Sequence, residues 1–506
     1  MNRPAPSVEA DIQEAEEDLD ISTDPPSKDE IISAIKSLRN GKSPGQDNLN
    51  AELFKVEPEI AAGFLVPLFK AVWERKQIPG DWSEGVIVKI PKKGNLRNCN
   101  NWRGITLLSI PSKIFSKIIV QRLTDVVDQQ LREEQAGFRR GRGCIDQMFA
   151  LRNIIEQSTE WQRQIYINFV DFEKAFDSIH RESLWRILRM YDIPQDIVLI
   201  IKSFYSNFSC SVGNNGIKLE VKSGVRQGCV MSSLLFIIAI DWVMKRTTED
   251  HSRGIRWSIF STLEDLDFAD DLALFSHTHQ QMQAKTSRLS EFARQVGLKI
   301  NEGKTEVMTL NNSNPLPIQV NGNNVSITEE FRYLGSIVRC DGGAGNDIRQ
   351  RLNKANIASR MLNNVWKSKQ YSTITEMRLY QSCVLSTLLY GSECWRMTER
   401  DTRKLSVFHT KSLRRILQIF WPNKISNEEL LAKCNQEDMG TIVLRRRWKW
   451  IGHVLRMDAQ NITRVALHWT PEGRRKRGRP KTTWRRTVEG ELKALNHSWG
   501  SIQRLA

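Results

Sequence analysis

The chain has 506 residues, of which 74 are Lys or Arg and 58 are Asp or Glu, giving a formal net charge of +16 and a pI near 9.5. At roughly 100–200 residues per domain this length predicts three or four domains, and 40% hydrophobic residues exclude a wholly disordered chain. The eight cysteines are scattered without zinc-ligand spacing, which excludes a disulfide scaffold and fits reduced thiols. The longest apolar run, residues 234–240, is too short to span a membrane.

The two ends of the chain differ strongly in charge. Residues 1–30 carry 2 basic and 10 acidic residues, and residues 1–26 are typical of an acidic linker or tail. Residues 442–506 carry 16 basic and 4 acidic residues, interleaved with five tryptophans. Two interpretations of this segment stay open: a nucleic-acid surface of cations and flat rings, or a solvated charge run beside ordinary core tryptophans.

Helix and strand signals alternate along the chain. Ser27 to Glu30 has the pattern of a capping box, which predicts that a helix begins there. A β-rich run at 165–170 ends at Asp171, and residues 263–275 indicate two short strands joined at Asp270-Asp271. Helical spacing prevails from 347 to 420. The pattern predicts an α/β or α+β domain followed by a largely helical one.

Three carboxylates therefore stand at strand ends. An unpaired carboxylate is costly to bury, so such groups are normally hydrogen-bonded or bound to a cation. Asp171, Asp270 and Asp271 are candidate ligands of two Mg²⁺ ions, with Mn²⁺ as a substitute. Two such ions roughly 3.5–4 Å apart can activate a 3′-hydroxyl and stabilise a leaving pyrophosphate. An Asp-Asp turn by itself is more often only a turn.

The motifs around Asp270-Asp271 strengthen the hypothesis that these residues bind metal ions. Five ordered segments resemble the palm motifs of non-LTR (LINE-type) retrotransposon reverse transcriptases: NFVDFEKAFD at 168–177, GVRQGC at 224–229, FADD at 268–271, GLKINEGK at 297–304 and FRYLG at 331–335. The resemblance extends upstream to GKSPGQD at 41–47 and downstream to RWKWIGH at 447–453. It covers nearly everything from about residue 27 to the end.

This resemblance implies an α+β right-hand polymerase with fingers, a palm built on an antiparallel sheet, a helical thumb and a basic, mainly helical C-terminal region. The implied divisions are an acidic linker or tail at 1–26, an N-terminal extension and fingers at 27–160, the palm with part of the fingers at 161–345, the thumb at 346–420 and a Trp-rich nucleic-acid-binding region at 421–506.

The resemblance also implies roles for single residues. Asp171 and Asp270 match the principal metal ligands, Asp271 a weaker third carboxylate, and Lys304 a lysine that donates a proton to the pyrophosphate. Phe176 matches the aromatic ring that excludes a 2′-hydroxyl, with a core phenylalanine as the alternative. The remaining substrate-binding matches are Gln227 and Gly228 beside the nascent base pair, and Arg103 and Lys113 on the triphosphate.

A basic octapeptide near the C-terminus has several interpretations. Its cations are Arg474, Arg475, Lys476, Arg477, Arg479 and Lys481. The Gly478-Arg479-Pro480 core resembles an AT-hook, whose arginines enter a narrow A·T minor groove. The same stretch fits a nuclear localisation signal or plain phosphate contact.

The sequence thus predicts an enzyme, an RNA-directed DNA polymerase that extends a DNA 3′-hydroxyl on an RNA template. Template RNA, primer or target DNA and dNTPs are the expected partners, with no membrane, in an intracellular ribonucleoprotein of nucleus and cytoplasm. Relatives usually carry an endonuclease before the polymerase, so we expect that activity in trans or in a longer parent chain. The alternative is a retrotransposon-derived protein that binds RNA or DNA without catalysis. A group II intron maturase predicts a Cys/His nuclease module, for which the sequence offers no candidate.

Overall fold

The computed structural model describes residues 2–13, 17–92, 94–213, 216–249, 253–258, 261–368, 370–475, 477–478 and 482–505. Helices and sheets are mixed within these ranges, as the sequence predicts. Across the same residues, no helix has both the length and the apolar character needed to cross a membrane.

The N-terminal elements begin at the predicted capping box. The Ser27 hydroxyl accepts a hydrogen bond from the Glu30 backbone at 3.2 Å, and the Glu30 carboxylate accepts one from the Ser27 backbone at 2.9 Å. This confirms the predicted helix start. The elements that follow are α1 (Lys28–Lys36), α2 (Ala51–Val56), α3 (Pro58–Arg75), β1 (Glu84–Pro91), β2 (Trp102–Leu107) and α4 (Ile110–Gln130).

The acidic N-terminal segment has no helix or strand in its described residues, but it is not a detached tail. Ala10, Ile12 and Ile21 are buried in the same core as α1 and α3. The Trp73 indole donates a 2.6 Å hydrogen bond to the carbonyl of Thr23. The acidic linker or tail expected at residues 1–26 thus has apolar side chains that pack against the folded protein, a contact that its composition does not reveal.

The middle of the chain builds the sheet that positions the candidate site. Its helices are α5 (Cys144–Glu160), α6 (Ala175–Ser178), α7 (Arg181–Met190), α8 (Gln195–Tyr205), α9 (Met231–Thr248) and α10 (His279–Gln295). Its strands are β3 (Ile165–Val170), β4 (Ser209–Val212), β5 (Lys218–Glu220), β6 (Ile255–Arg256), β7 (Thr262–Leu263), β8 (Asp265–Phe268), β9 (Asp271–Ser276), β10 (Glu306–Leu310), β11 (Gln319–Val320), β12 (Asn323–Asn324), β13 (Ser326–Ile327), β14 (Glu330–Tyr333) and β15 (Ser336–Arg339).

The central sheet has the strand order β13-β10-β3-β9-β8, with β3 in the centre and every β3 residue buried. β3 pairs antiparallel with both β9 and β10.

A second sheet joins distant parts of the chain. Its strand order is β2-β1-β4-β5, so β1 pairs antiparallel with β2 and parallel with β4. The pairs β11–β12, β14–β15 and β6–β7 form separate two-stranded ribbons.

The remainder of the chain is helical, as predicted for residues 347–420. A hydrophobic core runs from Ala344 to Val443 and crosses residue 421, where the sequence analysis divides thumb from C-terminal region. The α-helices are α11 (Gly345–Met361), α12 (Asn363–Lys367), α13 (Thr373–Leu379), α14 (Ser386–Leu388), α15 (Glu399–Ile416), α16 (Asn427–Cys434), α17 (Met439–Leu455), α18 (Ile462–His468), α19 (Trp484–Ala494) and α20 (Trp499–Leu505).

The last helices pack against α5 rather than standing apart. The Phe149 ring lies 4.7 Å from the Trp450 ring and 4.6 Å from the Trp484 ring, measured between centroids. Trp469 stacks on Trp257 at 5.2 Å. These three tryptophans of the basic segment are all under 10% exposed and belong to one core with the central sheet. The core interpretation therefore holds for them, and they offer no free face on which a base could stack.

Candidate active site

The three predicted aspartates meet at one end of the central sheet. β3 pairs with β9 so that Val170 faces Leu272, and continuing this register by one residue brings Asp171 opposite Asp271. Asp270 lies in the two-residue turn that joins β8 to β9. Asp171 follows the last residue of β3, and Asp270 and Asp271 lie where β8 turns into β9. The three aspartates are therefore at the same end of the sheet.

The three aspartates repel one another electrostatically. Burial, with the neighbouring charge of Asp171, raises the pKa of Asp270, while Arg103 partly opposes the shift. Burial and the charges of Asp270 and Asp171 raise the pKa of Asp271 to about 6, although this residue keeps a solvent-exposed edge. Like charges that raise one another's pKa stabilise any cation placed between them.

Lys304 supplies one such positive charge. Its ammonium nitrogen lies 3.3 Å from Oδ2 of Asp171, and its side chain is 68% exposed. That Oδ2 atom is itself inaccessible to solvent and accepts no hydrogen bond, so the ion pair is its polar contact among the described residues. The pairing of β10 with β3 brings the two residues together.

An open cavity of about 320 Å³ adjoins the cluster. Its wall includes Asp171, Asp271, Lys304 and Arg332, and Phe331 supplies an aromatic ring. A larger cavity of about 430 Å³ lies elsewhere, among α11, α12 and α15, and its lining contains no carboxylate. The smaller cavity is the one that chemistry favours, because it alone of these two combines acidic and basic groups.

The carboxylates could bind Mg²⁺ or Mn²⁺ if other oxygen ligands completed the coordination shell of the ion. Within the described residues, no three His, Cys, Asp or Glu side chains are arranged as a preformed metal-binding group. Mg²⁺ is usually held by one or two carboxylates together with waters and substrate phosphates, not by an all-protein cage. The mutual repulsion of the aspartates, and an Oδ2 of Asp171 that accepts no hydrogen bond, fit a cation that arrives with its substrate.

The loop of Gln227 and Gly228 packs closely on β2. The Gln227 carbonyl accepts a 2.7 Å hydrogen bond from the Thr106 backbone, and the Gln227 amide nitrogen lies 3.4 Å from Oδ1 of Asp177. Gly228 has φ of 117°, and a Cβ built there would stand 2.3 Å from the Thr106 carbonyl oxygen. Both the backbone angle and the space require glycine at this position.

Phe176 is half-buried at the start of α6. Its ring stacks on Phe236 with centroids 4.2 Å apart and 8° between planes, and it meets the edge of Phe138 at 6.2 Å. One part of the ring thus packs against core while the rest stays accessible. Both the steric role and the core role predicted for Phe176 are compatible with this position.

The two predicted triphosphate residues occupy different surroundings. Arg103 is exposed on β2 and near enough to Asp270 to lower the pKa of that carboxyl. Lys113 lies on α4, where burial lowers its pKa and the nearby charged forms of Asp47 and Cys229 oppose the shift. Arg103 is therefore near Asp270, whereas Lys113 is near Cys229, which follows Gln227 and Gly228 in their loop.

Asp177 lies next to a candidate site residue, Gln227, and the sequence analysis assigned it no role. It lies on α6, where burial raises the pKa of its carboxyl while Lys174, the N-terminus, Lys92 and Arg3 lower it. It also lies within hydrogen-bonding distance of Gln227. Its place as the last residue of the motif at 168–177, six residues after Asp171, is a signal that could have identified it.

The basic octapeptide is only partly described. Arg474, Arg475 and Arg477 are exposed, and Arg475 forms a 3.1 Å ion pair with Glu160 of α5. The other predicted contacts, Lys476, Arg479 and Lys481, lie outside the described residues. The surface charge of the three described arginines is compatible with phosphate contact.

Comparison with known proteins identifies relatives of the chain. Residues 90–338 match the family model described as "Reverse transcriptase (RNA-dependent DNA polymerase)". A probable RNA-directed DNA polymerase from transposon BS of Drosophila melanogaster is 27% identical over 410 residues, which are 77% of this chain and 44% of the relative. The RNA-directed DNA polymerase from the mobile element jockey of the same species is 25% identical, over 78% of this chain and 44% of the relative.

A third relative and one solved structure extend this comparison. The Pol polyprotein from the type-1 retrotransposable element R2 of Popillia japonica is 24% identical, over 83% of this chain and 59% of the relative. The chain thus spans about half the length of the curated relatives it matches. A structure of telomerase from Candida albicans with a fragment of telomeric RNA aligns at a TM-score of 0.43 and 11% identity, over 73% of this chain and 68% of that chain.

Proposed function

We propose that this chain, which belongs to the reverse transcriptases related to those of non-LTR retrotransposons, is an RNA-directed DNA polymerase that extends a DNA 3′-hydroxyl on an RNA template. Its template RNA, primer or target DNA and dNTPs would meet at the cavity beside Asp171, Asp271 and Lys304. One observation carries the proposal: the aspartates of two separate motifs adjoin at the end of β3 and the β8–β9 turn, inside the matched domain.

The aspartates would bind the metal ions of the reaction. Asp171, Asp270 and Asp271 would hold two Mg²⁺ ions, or Mn²⁺, which activate the 3′-hydroxyl and neutralise the leaving pyrophosphate. The raised pKa values of Asp270 and Asp271 support this role, because they record an excess of negative charge in a partly desolvated site.

Lys304 would donate the proton that the leaving pyrophosphate requires. Its ammonium lies beside the aspartates and is exposed to the cavity, so it can reach a phosphate oxygen there. A protonated amine next to that oxygen acts as a general acid. In the free protein the same ammonium pairs with Asp171, which keeps a positive charge at the site.

Four further side chains and one glycine would shape the nucleotide pocket. Phe176 would exclude a 2′-hydroxyl, and its stacking on Phe236 supports this by holding the ring in one orientation. Gln227 and Gly228 would pack against the nascent base pair. Arg103 and Lys113 would bind the triphosphate, a role in which cations substitute for a Gly-rich phosphate loop.

The parts of a right hand can be assigned on this basis. We assign the fingers with an N-terminal extension to 27–160, the palm with part of the fingers to 161–345, the helical thumb to 346–420 and the C-terminal region to 421–506. The central sheet and the aspartates at its end support the palm assignment. The continuous core from Ala344 to Val443 supports close association of thumb and C-terminal region.

The basic C-terminal region would bind nucleic acid through its exposed arginines, such as Arg474, Arg475 and Arg477, and not through its buried tryptophans. An intracellular ribonucleoprotein of nucleus and cytoplasm is the setting in which such a polymerase would act. An endonuclease in trans, or in a longer parent chain, would supply the primer end.

Primer extension tests the proposal directly. Purified protein is given poly(rA)/oligo(dT), Mg²⁺ and dTTP, and we expect the oligo(dT) to lengthen. Omitting Mg²⁺ is the first control, and a poly(dA) template measures the preference for RNA. Protein that binds the RNA–DNA duplex without extending it, in Mg²⁺ and in Mn²⁺, would instead identify a catalytically silent binding protein.

A further inference from the structure

The turn that carries Asp270 has an unfavourable backbone conformation. Ala269, the residue before Asp270, has φ of 57°. This left-handed region is unfavourable for alanine, because its Cβ approaches the neighbouring carbonyl. Such a conformation persists where surrounding contacts hold it in place.

One buried side chain makes those contacts. Oε1 of Gln135 accepts hydrogen bonds from the backbone N–H of Ala269 at 2.8 Å and of Gly137 at 2.7 Å. Its Nε2 lies 3.4 Å from the Ala269 carbonyl oxygen, as donor. Gln135 is fully buried, so this amide serves both polar groups of the strained residue and contacts no solvent.

The segment around Gln135 lies along β8, one of the two edge strands of the central sheet. The Ala136 backbone donates to the Asp267 carbonyl at 2.9 Å, and the Asp267 backbone donates to the Glu134 carbonyl at 3.1 Å. A Cβ added at Gly137 would stand 2.2 Å from the Ala269 nitrogen. The backbones approach so closely that glycine alone fits, which aligns the Gln135 amide with Ala269.

Two buried arginines fix this segment at its ends. Arg132 pairs with Asp265 at 2.9 Å and also with Asp267, both on β8. Arg139 donates to the carbonyls of Arg132 at 2.6 Å and Gln135 at 2.9 Å. Arg132 therefore anchors the segment to β8, the strand that leads into the turn, and Arg139 holds the segment together around Gln135.

We propose that Gln135 is a positioning residue that holds Ala269 in its left-handed conformation and thereby orients Asp270 and Asp271. The inference rests on the proposed function, because the orientation matters for nucleotidyl transfer. Gln135 itself touches neither substrate nor metal, since it has no exposed atoms and does not line the cavity.

The test replaces the amide by an apolar group of similar length, in Gln135→Met. The matched control is Gln147→Met, since Gln147 is also buried and donates to the Glu134 carbonyl at 3.2 Å without touching the turn. We expect Q135M to lower kcat at least tenfold, with the KM for dTTP and the affinity for primer-template within twofold of wild type. Q147M should keep kcat within twofold.

Two readouts separate positioning from general loss of stability. Hydrogen exchange of a peptide spanning 266–272 should accelerate in Q135M and not in Q147M. The double variant Q135M/A269G should recover kcat at least fivefold over Q135M, because glycine adopts the left-handed conformation without the Cβ penalty. Equal effects of Q135M and Q147M, an unchanged kcat, or failure of A269G to restore activity would each overturn the proposal.

A second variant applies if Q135M does not fold. Gln135→Glu keeps the hydrogen-bond acceptor for Ala269 and removes the donor, so we expect its kcat to lie between that of wild type and that of an inactive variant. A kcat equal to that of wild type would refute the role of Gln135. If the wild-type protein extends no primer, the proposed function fails on its own. Titration calorimetry with Mn²⁺ then tests the orientation: Q135M should weaken Mn²⁺ binding at least threefold relative to Q147M, and equal binding would refute it.

Discussion

The aspartates at the end of β3 and the tryptophans of residues 442–506 are equally conspicuous in the sequence, yet the structure treats them in opposite ways. Asp171 and Asp271 stay at the wall of an open cavity. Trp450, Trp469 and Trp484 turn inward and are almost fully buried. Burying a carboxylate has a large desolvation penalty, so these carboxylates stay in contact with solvent. A tryptophan is stabilised by burial wherever its N–H finds an acceptor.

Each of those indoles does find an acceptor. Trp450 donates to Asp146 at 3.0 Å, Trp469 to the Arg256 carbonyl at 2.9 Å and Trp484 to the Glu393 carbonyl at 2.8 Å. In this chain the carboxylates at the strand ends therefore stay accessible, whereas these aromatic rings of the basic helical segment do not.

The largest effect is expected for Asp270→Asn. It removes a charge from the cluster and preserves shape, so we expect primer extension to fall at least about 10³-fold, or roughly 4 kcal/mol in the barrier. RNA affinity, measured by filter binding, should be unchanged. Asp125→Asn, at an exposed position of α4, is the matched control and should be fully active. Retention of more than a few per cent activity in D270N would remove the aspartates from the chemistry.

Trp484→Ala should chiefly destabilise the protein. Truncating a buried tryptophan that packs on Phe149 should lower the free energy of unfolding by about 3–5 kcal/mol, measured by urea denaturation. Trp421→Ala is the control, since Trp421 is 83% exposed and its removal should cost less than about 0.5 kcal/mol. If W484A kept its stability but lost nucleic-acid affinity, the result would favour the interpretation of residues 442–506 as a nucleic-acid-binding surface.

Glu156 links the same core to pH. Burial raises its pKa from 4.5 to about 7, against the 2.8 Å hydrogen bond from the Trp484 backbone. Between these two values the unfolded chain binds fewer protons, so the contribution of Glu156 to stability falls as pH rises and is constant above pH 7. Compared with Glu156→Gln, we expect wild type to lose about 1–3 kcal/mol between pH 4.5 and 8.

The measurement is urea denaturation of both proteins across that pH range. The difference between their free energies of unfolding should grow as pH rises to about 7 and then level off. A constant difference would mean that Glu156 ionises in the folded protein as it does in the unfolded one.

Phe176→Ala should relax sugar selection. If the ring occupies the space of a 2′-hydroxyl, the ratio of kcat/KM for rNTP over dNTP should rise about tenfold, equivalent to ~1.4 kcal/mol. Phe64→Ala, at a ring 78% exposed on α3, serves as control and should leave the ratio unchanged. A lower activity toward both substrates with the same ratio would assign Phe176 to the core alongside Phe236.

The smallest effect is expected in the basic octapeptide. Replacing Arg477 and Arg479 by alanine should reduce the slope of log K against log salt by roughly 0.7–0.9 for each phosphate that the variant no longer neutralises. Arg504→Ala is the control. A similar decrease in affinity on every duplex indicates phosphate binding, and a selective decrease on A·T-rich duplex indicates an AT-hook. An unchanged slope would show that these arginines are a solvated surface.

Local signals account for what the sequence could predict. The capping box at Ser27, the β3 strand and the hairpin carrying Asp270 each depend on neighbours within a few residues, and the structure confirms them. Gly228 was also identifiable, because its loop motif is short and continuous. The resemblance to a known family then supplied roles that no local pattern contains.

Partners distant in sequence account for what was missed. The burial of Ile12 and Ile21 depends on a core formed with α1 and α3, and that of Trp484 on Phe149. Gln135 precedes its partner Ala269 by 134 residues, so the order of residues along the chain does not reveal that the two meet. Such contacts are decided by tertiary packing, which composition and spacing do not encode one residue at a time.

The packing of α17 and α19 on α5 also has a consequence for synthesis. More than 290 residues separate Phe149 from Trp450. At about 5–20 residues per second, the apolar face of α5 waits roughly 15–60 s on the ribosome before its partners emerge. A nascent chain of this kind exposes a hydrophobic helix beside its unfinished sheet for that whole interval, so its yield in the cell should depend on chaperones that bind apolar segments.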